Sequence, residues 1–235
     1  MSTEYTDDKI KTLSSLEHIR LRPGMYIGRL GNGSHPDDGI YILLKEVVDN
    51  AVDEYIMGAG QKIEVSITPE GQVSVRDYGR GIPLGKLVEC VSVINTGAKY
   101  NDEVFQFSVG LNGVGTKAVN ALSADFEVIS YRDGRFASAS FINGKVQSED
   151  QGESNQKNGT LIRFNPDPQR FEEFSFNLDF VRKRLWRYAY LNAGLKLYLD
   201  NELFHSSNGL LDLLDKEIDG TQLYEPIHYK DKTLE

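Results

Sequence analysis

The sequence predicts an α+β domain: a largely antiparallel sheet with helices on one face. Three observations point there. Apolar residues at helical spacing, Ile40, Leu43, Leu44, Val47, Val48, Ala51 and Val52, run through residues 37–58. Two alternating segments, 62–68 and 72–77, flank Pro69-Glu70-Gly71 and read as paired strands. Further alternation covers 126–131, 136–142, 159–164 and 195–199, with hairpin signals at Asp133-Gly134 and Asn143-Gly144. Helices packed on one side of the sheet form the simplest assembly of these segments.

Each element follows from a local signal. Residues 1–12 are polar and read as a loose arm. The helix over 37–58 stops at Gly58, which suits a helix C-terminus. A second helical pattern covers about 86–94, and 95–115 reads as a long glycine-rich, polar loop. A helix then starts near Gly115 and runs to Leu122, and another spans 178–191 between the later strands. Residues 149–158 (EDQGESNQKN) read as a polar surface loop. Neither a repeat nor a linker interrupts the chain, so 13–235 reads as one domain.

Composition narrows the class. Hydrophobic residues make up 40% of the 235, enough for a substantial core. The net charge of -9 argues against gripping DNA through the overall field. Cys90 is the single cysteine, so no internal disulfide forms. The sequence has no run suited to spanning a membrane and no signal-peptide apolar region, and reads as cytoplasmic. His18, His35, His205 and His228 lack metal-ligand spacing.

Three clusters carry candidate chemistry. Glu46, Asn50 and Asp53 fall within an arc of roughly 60° on the first long helix. That stripe faces away from the centre of the apolar face; it is either a solvated surface or a place to hold water and magnesium beside phosphates. Asp77 alternates with Val73 and Val75, which puts it on the core side of its strand, where a carboxylate needs a donor. It either caps the following turn or accepts a hydrogen bond from an exocyclic amine such as adenine's. Gly79, Gly81 and Pro83 then turn the chain sharply. Gly110-Leu-Asn-Gly-Val-Gly115 precedes a helix, an arrangement suited to phosphate, although a merely flexible loop has the same composition. Gly113-Val-Gly115-Thr-Lys-Ala118 imitates a dinucleotide fingerprint but lacks the strand before it. Gly110-x-x-x-x-Gly115-Thr-Lys imitates a P-loop with its last two residues reversed. Lys99 either reaches a phosphate or is simply solvated.

In order, Glu46-Val-Val-Asp-Asn50-Ala-Val-Asp53-Glu54, Asp77-Tyr-Gly-Arg-Gly-Ile-Pro83 and Gly110-Leu-Asn-Gly-Val-Gly-Thr-Lys-Ala-Val-Asn-Ala-Leu-Ser123 resemble the GHKL ATPases. Arg22-Pro-Gly-Met-Tyr-Ile-Gly28 and Asn158-Gly-Thr160 narrow the resemblance to type II DNA topoisomerase B subunits, across nearly the whole chain. It implies the two-layer Bergerat sandwich, with a mixed, mostly antiparallel sheet, and ATP and Mg2+ as cofactors. Glu46 then corresponds to the general base and Asn50 to the magnesium ligand. Asp77 corresponds to the adenine-reading carboxylate, assisted by Thr160, with Val48, Val75, Ile82, Ile94 and Ile162 as the apolar floor. Lys99 and the backbone of Gly110, Leu111, Asn112, Gly113, Val114 and Gly115 correspond to the triphosphate cradle. Asp53, Gly81 and Pro83 join the ATP site, Arg80 pairs with Glu54 at its rim, and Arg132 borders its adenine end. Tyr5 sits on an arm that reaches the partner subunit's nucleotide site in an ATP-dependent homodimer. The resemblance further implies a topoisomerase A subunit as partner, DNA bound by the holoenzyme, and aminocoumarin-type ATP-site inhibitors. Transducer and cleavage domains would lie beyond Glu235.

Departures from the family pattern are local. Tyr78 replaces a frequent Asp, and the segment from Pro83 to Lys99 is short, which implies a different lid. Asn112 and Lys117 replace common His and Ser, and Lys117 is expected to add a cation near the phosphates. The Asn-Gly-Val-Gly-Thr-Lys variant leans towards topoisomerase IV over gyrase. Two competing readings are another GHKL ATPase, such as a chaperone or mismatch-repair protein, and a nicotinamide-dependent oxidoreductase built on Gly113–Ala118.

Overall fold

The computed structural model of the chain describes residues 12–96 and 113–218, together with 224, 226, 227 and 229. Tyr5, Lys99, Gly110, Leu111 and Asn112 lie outside them, as do most of the arm and of the glycine-rich segment.

The chain begins with α1 (Ser15–Leu21) and α2 (Gly24–Ile27), followed by the long α3 (Gly39–Ile56). β1 (Lys62–Ile67) and β2 (Val73–Asp77) form a hairpin. A 3-10 turn, Leu84–Lys86, leads into α4 (Leu87–Ser92), and α5 (Gly115–Ala121) precedes the main strands. These are β3 (Ser123–Arg132), β4 (Arg135–Ile142), β5 (Lys145–Glu153) and β6 (Gly159–Pro166). α6 (Leu178–Leu191), β7 (Lys196–Leu199), β8 (Glu202–His205) and α7 (Leu210–Glu217) complete it. Eight strands run in the order β5-β4-β3-β6-β2-β1-β7-β8. The β1–β7 pairing is parallel and the others are antiparallel, so the sheet is mixed and mostly antiparallel, as expected.

Register builds the core in rows across the sheet. Val73, Phe164, Phe126 and Phe141 form one row; Val65, Val75, Ile162, Val128 and Ala139 form the next. All nine are buried, and α3 lays Ile40, Leu43, Leu44, Val47, Val48, Ala51 and Val52 into the same core. Burying such side chains contributes roughly 1.5–3 kcal/mol each. One row further on, the face turns polar. Asp77 pairs with Ile63 on β1, and Thr160 pairs with Ser130 on β3.

Several local expectations need correction. Residues 145–153 are a strand, where the sequence reads as a loop from 149 onward. β5 is an edge strand exposed almost throughout, so neither of its faces imposes an apolar alternation. The helical pattern over 86–94 resolves into the 3-10 turn and the six-residue α4. α1, α2, β8 and α7 have no counterpart in the sequence reading. α1 carries a capping box, Ser14 with Glu17, which was available as a signal.

Candidate functional site

β2 delivers Asp77 to the site. Because Val73, Val75 and Asp77 share the buried face, the carboxylate is only 7% exposed. It accepts from the Gly79 N–H at 2.9 Å and from the Thr160 N–H at 3.1 and 3.2 Å. The first bond caps the turn; the second reaches over from β6. Burial still dominates and pushes the carboxyl up from 3.8 to about 6, against the pull of both N–H groups. An ionised carboxylate offers about four acceptor sites, so these two donors leave capacity for another. Val48, Val75 and Ile162 are buried in the core, with Ile82 and Ile94 partly buried against it.

α3 presents the second cluster. Glu46 and Asn50 are half-buried, whereas Asp53 is 1% exposed. This side of α3 is therefore only partly solvated, with Asp53 fully covered. The Asn50 Nδ2 donates to the Glu46 carbonyl at 2.8 Å and to Thr116 Oγ1 at 2.9 Å. That orientation points the amide oxygen away from those two partners. Glu46 Oε1 lies 3.6 Å from Lys45 Nζ, and the same carboxylate rests against Gly115 at the start of α5.

The residues present fit magnesium in a particular way. A hard cation takes oxygen ligands and commonly keeps waters and substrate phosphates in its shell. Among the described residues, no group of three His, Cys, Asp or Glu is placed to hold a metal. An oriented Asn50 amide oxygen suits a cation completed by phosphate and water rather than a closed protein cage.

The start of α5 follows directly. Gly113 has φ +59°, Val114 is the N-cap, and Gly115 opens the helix. Lys117 is buried behind it, and its Nζ donates to the Thr96 carbonyl at 2.6 Å.

At the rim, Arg80 forks onto Glu54, with Nε to Oε2 at 3.0 Å and a terminal nitrogen to Oε1 at 2.8 Å. The Arg80 N–H also donates to Glu54 Oε2. Arg132 reaches the Gly81 carbonyl at 3.5 Å, and Ser130 Oγ donates to the Ile82 carbonyl at 2.7 Å. Pro83 opens the 3-10 turn, its carbonyl accepting from the Lys86 N–H at 2.9 Å. Thr116, Ser130 and Arg76 were missed by the sequence reading, because each matters through a partner far away in the chain.

A model of the family described as histidine kinase-, DNA gyrase B-, and HSP90-like ATPases matches residues 36–170. The chain belongs to this family. The matched span runs from the approach to α3 to just past β6, and so includes the three clusters. Over 98% of its length the chain is 56% identical to the B subunit of DNA topoisomerase 4 from Borreliella burgdorferi, covering 39% of that protein. Over 97% of its length it is 39% identical to the DNA gyrase B subunit of Archaeoglobus fulgidus, covering 38% of it. It thus spans less than half the length of these curated relatives. Among solved structures it resembles the 43K ATPase domain of Thermus thermophilus gyrase B in complex with an aminocoumarin. That likeness has a TM-score of 0.75 at 32% identity, over 91% of this chain and 57% of that one. The architecture is therefore the gyrase-type member of this ATPase family, α+β with its mixed sheet.

Proposed function

We propose that residues 13–235 are the ATP-binding and ATP-hydrolysing domain of a cytoplasmic type II DNA topoisomerase B subunit, of the topoisomerase IV kind. The observation that carries this reading is the junction of α3 and α5. Glu46 rests on Gly115 while Asn50 donates to Thr116, so a carboxylate and an amide face the start of a helix. The 56% identity to the B subunit of a topoisomerase 4 supports topoisomerase IV over gyrase.

In this mechanism Asp77 and Thr160 read the adenine edge, over the floor of Val48, Val75, Ile82, Ile94 and Ile162. Asn50 would hold magnesium, which neutralises charge on the phosphates. Glu46 orients the attacking water and takes its proton at a carboxylate oxygen. Gly113, Val114 and Gly115, with Gly110, Leu111, Asn112 and Lys99, cradle the triphosphate through N–H groups and one ammonium. Asp53, buried one turn beyond Asn50, joins the ATP site, the Arg80–Glu54 fork fixes the Gly81-Ile82-Pro83 turn, and Arg132 borders the adenine end. An aminocoumarin-type inhibitor fits the same acceptor and rim. Tyr5 belongs to an arm that joins two copies when ATP binds. A partner A subunit and domains beyond Glu235 supply DNA cleavage and passage.

The test uses the full-length protein with its A partner. ATP-dependent decatenation is expected to exceed supercoiling; dominant supercoiling would make it a gyrase. Failure of this chain to bind ATP would remove the reading altogether.

A further inference from the structure

Arg76 stands on the opposite face of β2 from Asp77, the alternate position along the strand. It therefore cannot touch a ligand held by that carboxylate. Its guanidinium nevertheless closes the site from behind. One nitrogen donates to the Asp77 carbonyl at 2.5 Å; another donates to the Lys157 carbonyl at 2.6 Å and to that of Asn158 at 3.5 Å. Its central carbon lies over the rings of both Tyr78 and Tyr131, 4.7 Å from each centroid.

Regular pairing of β2 with β6 ends at Arg76 and Leu161, one residue short of the point where Asp77 meets Thr160. Beyond it, Gly159 approaches so closely that a Cβ there would lie 2.2 Å from the Asp77 carbonyl and 2.5 Å from the Arg76 guanidinium. The Asn158 side chain in turn accepts from the Asp133 N–H at 2.9 Å, linking the segment to the β3–β4 turn. The guanidinium thus bridges the strand carrying the acceptor and the segment carrying its donor.

We infer that Arg76 is a positioning residue for the adenine-reading pair, clamping residues 157–159 onto β2 so that the Thr160 N–H and the Asp77 carboxylate keep their register. This rests on the ATP-site reading above. The clamp has two separable parts. The fork onto carbonyls sets geometry, and the positive charge behind the strand favours the ionised carboxylate, alongside the opposing charge of Glu54, which is engaged by Arg80. A planar fork lying over two rings is not reproduced by lysine.

The experiment measures ATP affinity of this chain by calorimetry from pH 5 to 8 for wild type, Arg76→Met, Arg76→Lys and Asp77→Asn, with inorganic tripolyphosphate as an adenine-free probe. For Arg76→Met the expected result is roughly three- to tenfold weaker ATP binding at neutral pH. Tripolyphosphate binding stays unchanged, and the pH at which ATP binding is half lost moves up. Arg76→Lys keeps the wild-type pH midpoint but not the full affinity. Because variants are compared at each pH, the nucleotide's own titration cancels. Wild-type affinity and pH midpoint in Arg76→Met, even with a lowered unfolding temperature, would reduce Arg76 to a structural residue and overturn the inference. If Arg76→Met does not fold, Arg76→Lys decides alone, and full affinity there overturns the clamp. Wild-type ATP binding by Asp77→Asn would instead strike at the site assignment itself, so the two failures remain distinguishable.

Discussion

Gly115 leaves no space for a side chain beside Glu46: a Cβ built on it would lie 1.9 Å from Glu46 Oε2. The glycine that opens α5 therefore serves the carboxylate as well as the backbone. Gly115→Ala is expected to push the Glu46 carboxylate out of place. The prediction is loss of at least tenfold in hydrolysis in the full-length protein, with the unfolding temperature little changed, since misplacement by about 1 Å already costs on the order of a hundredfold. Single-turnover hydrolysis beside a thermal melt checks it, and wild-type turnover would mean that Glu46 is not held by this contact.

Glu46→Ala tests the carboxylate directly. A general base contributes about 10²–10⁴-fold to rate, so hydrolysis falls by that order while binding of a non-hydrolysable analogue is nearly kept. On the proposed reading binding rests on Asp77, Thr160 and the α5 start, and loss of a negative charge near phosphates opposes any weakening. Charge neutralisation and positioning remain, so the rate does not reach zero. The measurement is single-turnover hydrolysis in the full-length protein, and an unchanged rate would make Glu46 a bystander on α3.

A stability prediction concerns the far side of α5. Arg20 on α1 donates to the Ala121 carbonyl and to Asp167, each at 2.6 Å, and Asp167 is 2% exposed. Arg20→Met leaves that carboxylate with the Gln169 N–H at 2.9 Å but without its cation, and breaking a buried pair costs about 3–5 kcal/mol. For a chain of this size each kcal/mol lowers the melting temperature by about 2–4 °C. Replacing both partners, Arg20→Met with Asp167→Leu, is expected to recover part of the loss. A double variant no more stable than Arg20→Met would show that the ion pair is not the source.

Much of the site was legible because its geometry is local. Alternation with Val73 and Val75 was enough to bury Asp77, and the helical period was enough to align Glu46 with Asn50. The supports were not legible. Thr116 lies 66 residues from Asn50, and Arg76 reaches a carbonyl 81 residues away, contacts that no short-range pattern encodes. β5 escaped for another reason: strand pairing with β4 is made by backbone, and exposed side chains carry no alternating signature. Lys117 is a departure from the family pattern, and no local signal announced that its side chain would be buried and reach the Thr96 carbonyl 21 residues away.

The last prediction follows from the titration of Asp77, whose folded value of about 6 lies above its ordinary 3.8 chiefly through burial. The folded state then holds the proton more tightly than the unfolded chain. Below both values the carboxyl is protonated in either state and costs nothing extra. Between them, stability falls as pH rises, and above about pH 6 the full penalty, on the order of 3 kcal/mol, is present. Asp77→Asn removes the charge, and its amide oxygen can still accept from Gly79 and Thr160. The variant is therefore expected to melt higher than wild type at pH 7.5 and alike near pH 4. Its ATP affinity moves the other way, weakening about ten- to a hundredfold, because a charge-assisted bond worth roughly 1.5–3 kcal/mol is lost. In the wild type, ATP binding declines as pH falls through about 6 and the acceptor is protonated; the variant lacks that step. Melting curves and calorimetry on the same samples across pH check both halves. A variant less stable than wild type at pH 7.5 would mean that the carboxylate's hydrogen bonds outweigh its burial, and the carboxyl would then titrate well below 6.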